Sequence, residues 1–490
     1  MRDLCTKKTK RSVGEDFLFS VFPRILSTLM NILIIGGGKT GEELIASLLS
    51  EGHDLSVIDP LSSVIYDLQE AYDVIGICGS GVVLETLHEA AADRADLVIA
   101  CTSQDEINIL ACVIAKRIGA KNCVARVRNP ELNRQIDFMR QDLGIDTMVN
   151  PDYSAAHAIS RMLRIPSAMK VDSFANGRID MVQLKITENS PLAGVSLLQL
   201  KSLYKTRVLV CAVQCAAEND GDGEVIVPSA SYVIRPGDIL NLTATHSAIH
   251  RFFREIGAVG DPIKNVMIIG GSRIAYYLAR NLTESGMRVK IIEKKRDRCV
   301  ELSRELPKAR IINGDGTDHE LLVEEGIRDM DACIALTGMD EGNMVLSLYA
   351  AGEGVQKVIP KITKKPLHSM ALGIHLDSAV SPLQLTADVI VSYARALGQS
   401  SKSSAIRTLY KLVGGKVEAM EFVATADSSV IGIPLIELHL KKNLLIGGIV
   451  RGSTMIFPGA SDTIKAGDIV VVVTTNLYIS TLDGILEARA

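Results

Sequence analysis

Three glycines, Gly36, Gly38 and Gly41, stand at G-x-G-x-x-G spacing in ILIIGGGKTGEELIASLL, residues 32–49. Between an apolar strand and a helix, that spacing suits a phosphate. The first glycine permits a tight turn, the second lets a pyrophosphate approach backbone amides, and the third lets helix and strand pack closely. Gly37, Lys39 and Thr40 complete the loop, where Lys39 either neutralises phosphate charge or sits in solvent. The spacing alone is a weak signal, but Asp59 ends the next apolar run 23 residues after Gly36, where a carboxylate accepts hydrogen bonds from a ribose. Together they point to an adenine nucleotide. A carboxylate at that place repels a 2′-phosphate, which favours NAD(H) over NADP. ATP and ADP, with the same ribose and a pyrophosphate, stay open.

The loop is written twice. VMIIGGSRIAYYLARNL, residues 266–282, repeats it with Gly270 for Gly36, Ser272 for Gly38 and Ala275 for Gly41. Alanine at the third position is tolerated by the fingerprint, whereas serine at the second puts a side chain where pyrophosphate comes nearest. Glu293 preserves the ribose carboxylate, leaving either a weaker nucleotide site or a retained scaffold. Asn31 and Asn265, Gly36 and Gly270, and Asp59 and Glu293 are 234 positions apart. Asp96 and Asp331, Thr102 and Thr337, and Asn108 and Asn343 are 235 apart, so one inserted residue separates two copies of a single ancestral unit.

Each copy alternates short apolar runs with amphipathic helical patterns. NILIIG, DLSVID, DVIGIC, ADLVIAC and NCVARV in the first copy are answered by NVMIIG, RVKIIE, ARIING, DACIAL and KVIPKI in the second. Such runs predict parallel sheets buried on both faces, an α/β fold of two tandem Rossmann-like doubly wound sheets. The stretches after each sheet are also alike, NSPLAGVSLLQL with DSSVIGIPLIEL and SYVIRPGDILNLTAT with SDTIKAGDIVVVVTT, and each predicts a small α+β module. The expected layout is an extension over 1–30, a Rossmann domain over 31–150, a linking helix over 151–170 and a small module over 171–256. A linker over 257–264 leads to a second Rossmann domain over 265–385, a linking helix over 386–410 and a small module over 411–490. The extension, basic and broken by Pro23 and Arg24, lacks the clean apolar region of a signal peptide and is expected to be disordered or a start-site artefact.

Composition excludes several classes. A net charge of −4 with 4% aromatic residues and no tryptophan gives neither the electrostatic footprint nor the stacking platform of a nucleic-acid binder. No apolar run approaches the roughly 18 residues of a membrane span, so direct membrane insertion is not expected. Nine scattered cysteines without a CxxC pair read as reduced core thiols. His246 and His250 are spaced for one helix face but lack a third metal ligand, and a surface or packing role is preferred. In TSQDEIN, residues 102–108, Asp105 and Glu106 suit the first turn of a helix better than catalysis, while Thr102 and Asn108 fall where a nucleotide cleft would lie. No catalytic residue is assigned. A dehydrogenase needs a substrate domain and a proton-transfer group, and the small, matching modules offer neither, so the chain is read as no enzyme.

The glycine turn, Asp59, ADLVIACTSQDEINILAC, VARVRNPEL and, in the second half, GDGTDHELLVEEGIRDMDACIALTGMDEGNM resemble RCK (KTN) domains. Two such domains, each followed by its small C-terminal module, resemble the TrkA-type regulatory subunits of bacterial Trk potassium uptake across nearly the whole chain after Met30. The resemblance implies a cytoplasmic protein, peripheral on the inner face of the membrane, that assembles as a homotetrameric ring beneath a TrkH-like potassium-translocating subunit. Nucleotide occupancy would bias the ring between two states and so gate the pore. An adaptor for another cation transporter is the alternative. The resemblance also brings Ser80 into the nucleotide site beside Thr102, and places Arg126 and Arg128 near nucleotide phosphates, in some such rings those of a neighbouring subunit. Lys361 matches Arg126, and Thr363 replaces Arg128. Family members often carry Asp at Ser80 and Gly at Ser272, which weakens one base or ribose contact and the second phosphate loop respectively.

Overall fold

The computed structural model describes residues 29–487 except 134, 136–141, 217–222, 259, 375, 377, 399–405, 413–414 and 477–478. Most of the expected extension lies outside the described residues, and Met30 at its end is buried in the core. The first sheet comprises β1 (Asn31–Ile35), β2 (Asp54–Asp59), β3 (Ile75–Cys78), β4 (Leu97–Ala100), β5 (Cys123–Arg126) and β6 (Thr147–Val149). Its order is β3-β2-β1-β4-β5-β6, with every pairing parallel. Chain order reverses between β1 and β4, the switch point at which open α/β sheets bind ligands. The sixth strand is only three residues long, too short for any periodic signature, and sequence patterning missed it.

The first small module is an antiparallel sheet of β7 (Lys170–Phe174), β8 (Ile179–Lys185), β9 (Leu209–Gln214), β10 (Val225–Ile226) and β11 (Ile239–Ala244). A second parallel sheet follows, with β12 (Asn265–Ile269), β13 (Arg288–Glu293), β14 (Arg310–Asn313), β15 (Ala332–Ala335) and β16 (Lys357–Pro360) in the order β14-β13-β12-β15-β16. The second small module contains β17 (Ile406–Leu412), β18 (Val417–Val423), β19 (Leu444–Arg451), β20 (Thr454–Ile456) and β21 (Ile469–Thr474). Where the first module has helices Leu197–Leu203 and His246–Glu255, the second has single 3₁₀ turns at Leu435–Glu437 and Leu482–Ile485.

Two linking helices, Pro151–Arg164 and Pro382–Leu397, organise the molecule. Each opens with proline at its first position behind a capping side chain, Asn150 accepting from the Tyr153 amide and Ser381 from the Gln384 amide. The Ser381 cap starts the second helix four residues ahead of the expected 386, and β17 takes up the end of the span expected as helix. Both helices cross over. Ala155, Ile159 and Met162 of the first pack with Ile274, Tyr277 and Leu278 of the second Rossmann unit, while Ala387, Ile390 and Val391 of the second pack with Leu44, Ile45 and Leu48 of the first. The halves are also tied by Lys357 Nζ, donating to the Ala168 carbonyl at 2.6 Å, and by Asn150 Nδ2, donating to the Tyr277 hydroxyl at 3.0 Å. Between the two small modules, the Ala175 amide donates to Glu421 Oε2 at 2.7 Å and the Thr243 hydroxyl to the Gly447 carbonyl at 2.8 Å.

A cavity of about 780 Å³ lies where the halves meet, lined by Asp172, Gln183, His368, Gln384, Asp388 and Lys411 among others. Asp388 is buried, with Gln384 Nε2 donating to its Oδ1 at 2.8 Å. Burial pushes its carboxyl up to about 6, against the opposing pull of Lys170, the Gln384 hydrogen bond and Lys411, and with a further push from Asp172. A folded-state value above the unfolded one means that the proton favours folding. The contribution is fully present below the ordinary value of 3.8 and lost as pH rises through about 6. Asp388→Asn should therefore stabilise the protein at pH 7–8 by roughly 2–3 kcal/mol, the gain vanishing towards pH 4 in urea unfolding at stepped pH. Equal gains at both ends of that range would show that charge burial is not the cause.

Candidate functional site

Five consecutive strand ends converge on one cleft. Gly36 to Gly41 follow β1, Asp59 closes β2, Ser80 follows β3, Thr102 follows β4 and Arg126 ends β5. Gly36 adopts φ +108°, and a Cβ there would lie 2.9 Å from the Thr102 amide nitrogen, so only glycine fits. A Cβ on Gly41 would lie 2.0 Å from the Gly36 carbonyl oxygen, because the helix Lys39–Ser50 presses directly on the turn. Gly38 differs from both: its φ of −67° and ψ of −175° suit any residue, and a Cβ there would meet no atom within 4 Å. The space beside Gly38 is therefore open on the side where a pyrophosphate would approach. No side chain caps the helix that Gly38 begins, so its first amides face that space.

Asp59 is buried, and its carboxylate clamps the loop. Oδ2 accepts from the Gly37 amide at 2.8 Å and Oδ1 from the Leu61 amide at 3.0 Å. Each oxygen keeps a further lone pair for a ribose hydroxyl. Arg126 leans over the loop from β5, donating from Nη1 to Thr40 Oγ1 at 2.7 Å and from Nη2 to the Thr102 carbonyl at 2.5 Å. Burial draws its basicity below the ordinary arginine value, and its Nε is buried without a hydrogen-bond partner. A cation with an unsatisfied donor beside uncapped helix amides suits a polyanion. Asn108 anchors this edge. Its Oδ1 accepts from the Thr102 amide and hydroxyl, both at 2.7 Å, and its Nδ2 donates to the Arg126 carbonyl at 2.9 Å. Lys39 and Ser80 are exposed at the rim.

Other polar groups near the cleft bond within the protein. Asp105 Oδ2 accepts from the Arg128 and Asn129 amides at 2.8 and 2.7 Å, holding the turn after β5 at the start of helix Asp105–Ile118. Arg128 is turned away from the loop, with Nε on Asp152 at 2.7 Å at the start of the first linking helix. Burial pushes the Cys101 thiol beside the loop up to about 12, leaving it protonated and no nucleophile. His246 Nδ1 donates to Asp180 Oδ2 at 2.8 Å and stacks edge-on with His250. The eight described cysteines are free thiols, and no metal-binding group of three or more His, Cys, Asp or Glu occurs among the described residues.

The second cleft keeps the clamp and loses the opening. Glu293 Oε2 accepts from the Gly271 amide at 2.7 Å and Oε1 from the Lys295 amide at 2.7 Å, repeating the geometry of Asp59. Ser272 caps its own helix, its Oγ accepting from the Ala275 amide at 3.3 Å, so a side chain takes up an amide that Gly38 leaves free. Lys361 Nζ donates to the Thr337 carbonyl at 2.6 Å, but Ile274 stands in place of Thr40, so the hydroxyl partner is gone. Asp315 occupies the position of Ser80 and pairs with Lys294 at 2.7 Å. The hydrogen bonds from Lys294 and Thr317 hold its carboxyl down at about 2. Arg298 Nε donates to the Gly271 carbonyl at 2.8 Å. Neither Arg298 nor Lys294 has a sequence signal that marks it, since both lie outside the repeated motif. Ser272→Gly should cost only a few tenths of a kcal/mol in stability and expose the amide, so that calorimetric titration with NADH shows a second, weaker binding event. A single unchanged event would mean that Ser272 is not what closes this cleft.

No helix among the described residues is long and apolar enough to cross a membrane. The sequence model of the TrkA-N domain matches residues 32–151 and 266–382, and that of the TrkA-C domain matches 181–257 and 419–484. The chain is 31% identical over 451 residues to the Trk system potassium uptake protein TrkA of Haemophilus influenzae, covering 90% of this chain and 95% of that protein. It is also 31% identical to the protein of the same name from Vibrio alginolyticus, covering 94% and 99% respectively. Among solved structures, the GsuK RCK domain superposes with a TM-score of 0.60 at 17% identity, covering 93% of this chain and 94% of that one. The GsuK channel bound to NAD superposes with a TM-score of 0.59 at 18% identity, covering 93% and 78%. The fold is thus that of RCK domains, and with 31% identity to a curated relative over nine-tenths of its length, the chain belongs to the TrkA family.

Proposed function

We propose that this chain is the nucleotide-sensing regulatory subunit of a Trk-type potassium uptake system, with the first cleft as its sensor. The observation that carries this reading is the open, uncapped loop at Gly38, with Asp59 below it and the unsatisfied Arg126 above. NAD(H) fits the carboxylate at Asp59 best, and ATP or ADP presents the same ribose and pyrophosphate. Bound nucleotide would draw Arg126 from Thr40 towards phosphate. Sensing needs only a difference in affinity between two conformations, with no bond made or broken. The relatives named as potassium uptake proteins and the NAD-bound channel support this reading. In it the protein forms a homotetrameric ring on the inner face of the membrane, against a TrkH-like subunit whose pore it gates.

Calorimetric titration with NADH, NAD, ATP and ADP tests the reading. Asp59→Ala should weaken binding by about tenfold or more, since it removes both the loop clamp and a charge-assisted ribose contact. Unaltered affinity in that variant would sink the first-cleft assignment. Cells lacking the subunit should lose potassium uptake and regain it with the wild-type chain. Turnover of the nicotinamide with any metabolite would instead point to an enzyme.

A further inference from the structure

The helix that grips at its N-terminus is bolted at its other end. Helix Lys39–Ser50 starts at the glycine loop and finishes at Glu51, whose carboxylate is buried. Twelve residues at about 1.5 Å each make a rod of roughly 18 Å. Glu51 Oε2 and Oε1 accept from Arg395 Nε and Nη2 at 2.6 and 2.7 Å, and Lys411 Nζ reaches Oε1 at 3.1 Å. The same guanidinium donates from Nη1 and Nη2 to Glu418 Oε2 and Oε1, at 2.8 and 2.7 Å. Arg395 lies in the last turn of the second linking helix and Glu418 on β18 of the second small module. Two bidentate forks therefore join three elements. The side chains of Arg395, Glu51 and Glu418 are only 5%, 4% and 1% exposed, so water neither screens nor replaces the bonds.

The duplication supplies an internal comparison. Ser285 follows helix Arg273–Glu284 where Glu51 follows helix Lys39–Ser50, so the carboxylate is missing. Arg164 stands as far from Pro151 as Arg395 from Pro382, but it is exposed. Asp180, second in β8 as Glu418 is second in β18, is bonded to Ser173 and His246. The bridge thus ends on the helix behind the intact glycine loop and has no counterpart on the helix behind the loop that carries Ser272.

We propose that Glu51, Arg395 and Glu418 form the relay by which nucleotide occupancy of the first cleft reaches the second small module; this rests on the first cleft being the nucleotide site. An apolar contact can slide, whereas a doubly bidentate guanidinium cannot shift without stranding a charge in the interior. Any tilt of the gripping helix must therefore move β18 or break the bridge. By linkage, the state of the module acts back on nucleotide affinity to the same extent.

Hydrogen–deuterium exchange on the full chain, with NADH and in parallel with ATP, tests the relay alongside calorimetry. In the wild type, nucleotide should slow exchange in residues 39–50 and also in 417–423, by about fivefold or more in each. The neutral triple variant Glu51→Gln, Arg395→Met, Glu418→Gln should still release heat on binding, with an affinity shifted by the lost coupling, and should keep the slowing in 39–50 but lose the slowing in 417–423. Arg395→Lys, which keeps one charge and loses the fork, should give the same split and serves if the triple variant does not fold. The relay is overturned if the wild type shows no change in 417–423, or if folded variants transmit it undiminished. If neither nucleotide gives heat or slows exchange in 36–50 of the wild type, the nucleotide reading falls, and the relay falls with it.

Discussion

Arg395→Ala is expected to lower the unfolding free energy by about 3–5 kcal/mol, a loss far larger than removal of an exposed ion-pair partner would cause. Its cause is what remains behind. Glu51 and Glu418 stay buried, with Lys411 as the cation still in reach of Glu51. Burial pushes the Glu51 carboxyl up, and the Arg395 guanidinium with Lys411 behind it more than reverses that push, holding it below the usual carboxylate value. The Arg395 guanidinium itself loses basicity to burial but gains more from its bonds to Glu418 and Glu51. A depressed carboxylate stabilises above its unfolded value of 4.5, and that stabilisation is lost as pH falls through the lower folded value. Urea unfolding should therefore show the full penalty of Arg395→Ala at pH 7 and a shrinking one below about pH 4.5. Neutralising all three residues together should recover most of the loss, since buried ion pairs exchange for uncharged side chains at little cost. A wild-type midpoint in Arg395→Ala would mean that the bridge is not closed in solution.

Gly38→Val should weaken nucleotide binding by about 100-fold or more while costing only about 0.5–1 kcal/mol of stability, the loss of a good N-cap residue. The binding estimate corresponds to roughly two charge-assisted amide–phosphate bonds at about 1.5–3 kcal/mol each. The stability cost stays small because a Cβ there meets empty space and the backbone angles are ordinary, which leaves only the poorer N-cap preference of valine. Neighbouring glycines cannot serve as the same probe. Gly41→Ala drives a methyl into the Gly36 carbonyl, and Gly36 itself is held at φ +108°, so either substitution confounds binding with folding. Calorimetric titration paired with a thermal melt reads both quantities. Near-normal affinity with an unchanged melt would remove Gly38 from the site and, with it, the phosphate reading of the loop.

Much of the first cleft was legible because its signals are local. The glycine spacing, the carboxylate ending β2 and the polar residues after β4 are all fixed by short stretches of chain, and the duplication exposed the damage at Ser272. What each residue does was less legible. Asp59 reads as a ribose ligand, and in the fold it also clamps the loop through the Gly37 and Leu61 amides. Arg128 reads as a phosphate contact by resemblance, but Asp152 holds its side chain away. Lys294 and Arg298 escaped notice because the partners that give them meaning, Asp315 and the Gly271 carbonyl, approach only after the sheet is wound.

By itself, then, the sequence determined two wound sheets, two small modules, their order and the place of the glycine loop with its carboxylate. Each follows from apolar period, glycine position and turn chemistry within a few tens of residues. Only the tertiary structure decided that each linking helix packs on the loop-following helix of the opposite half, because an apolar helix face carries no record of which surface will cover it. It alone also decided that Glu51 and Arg395, 344 positions apart, share one buried bridge. A charged residue in an amphipathic pattern reads as a solvated face, and nothing local distinguishes it from one whose partner arrives from the far end of the chain.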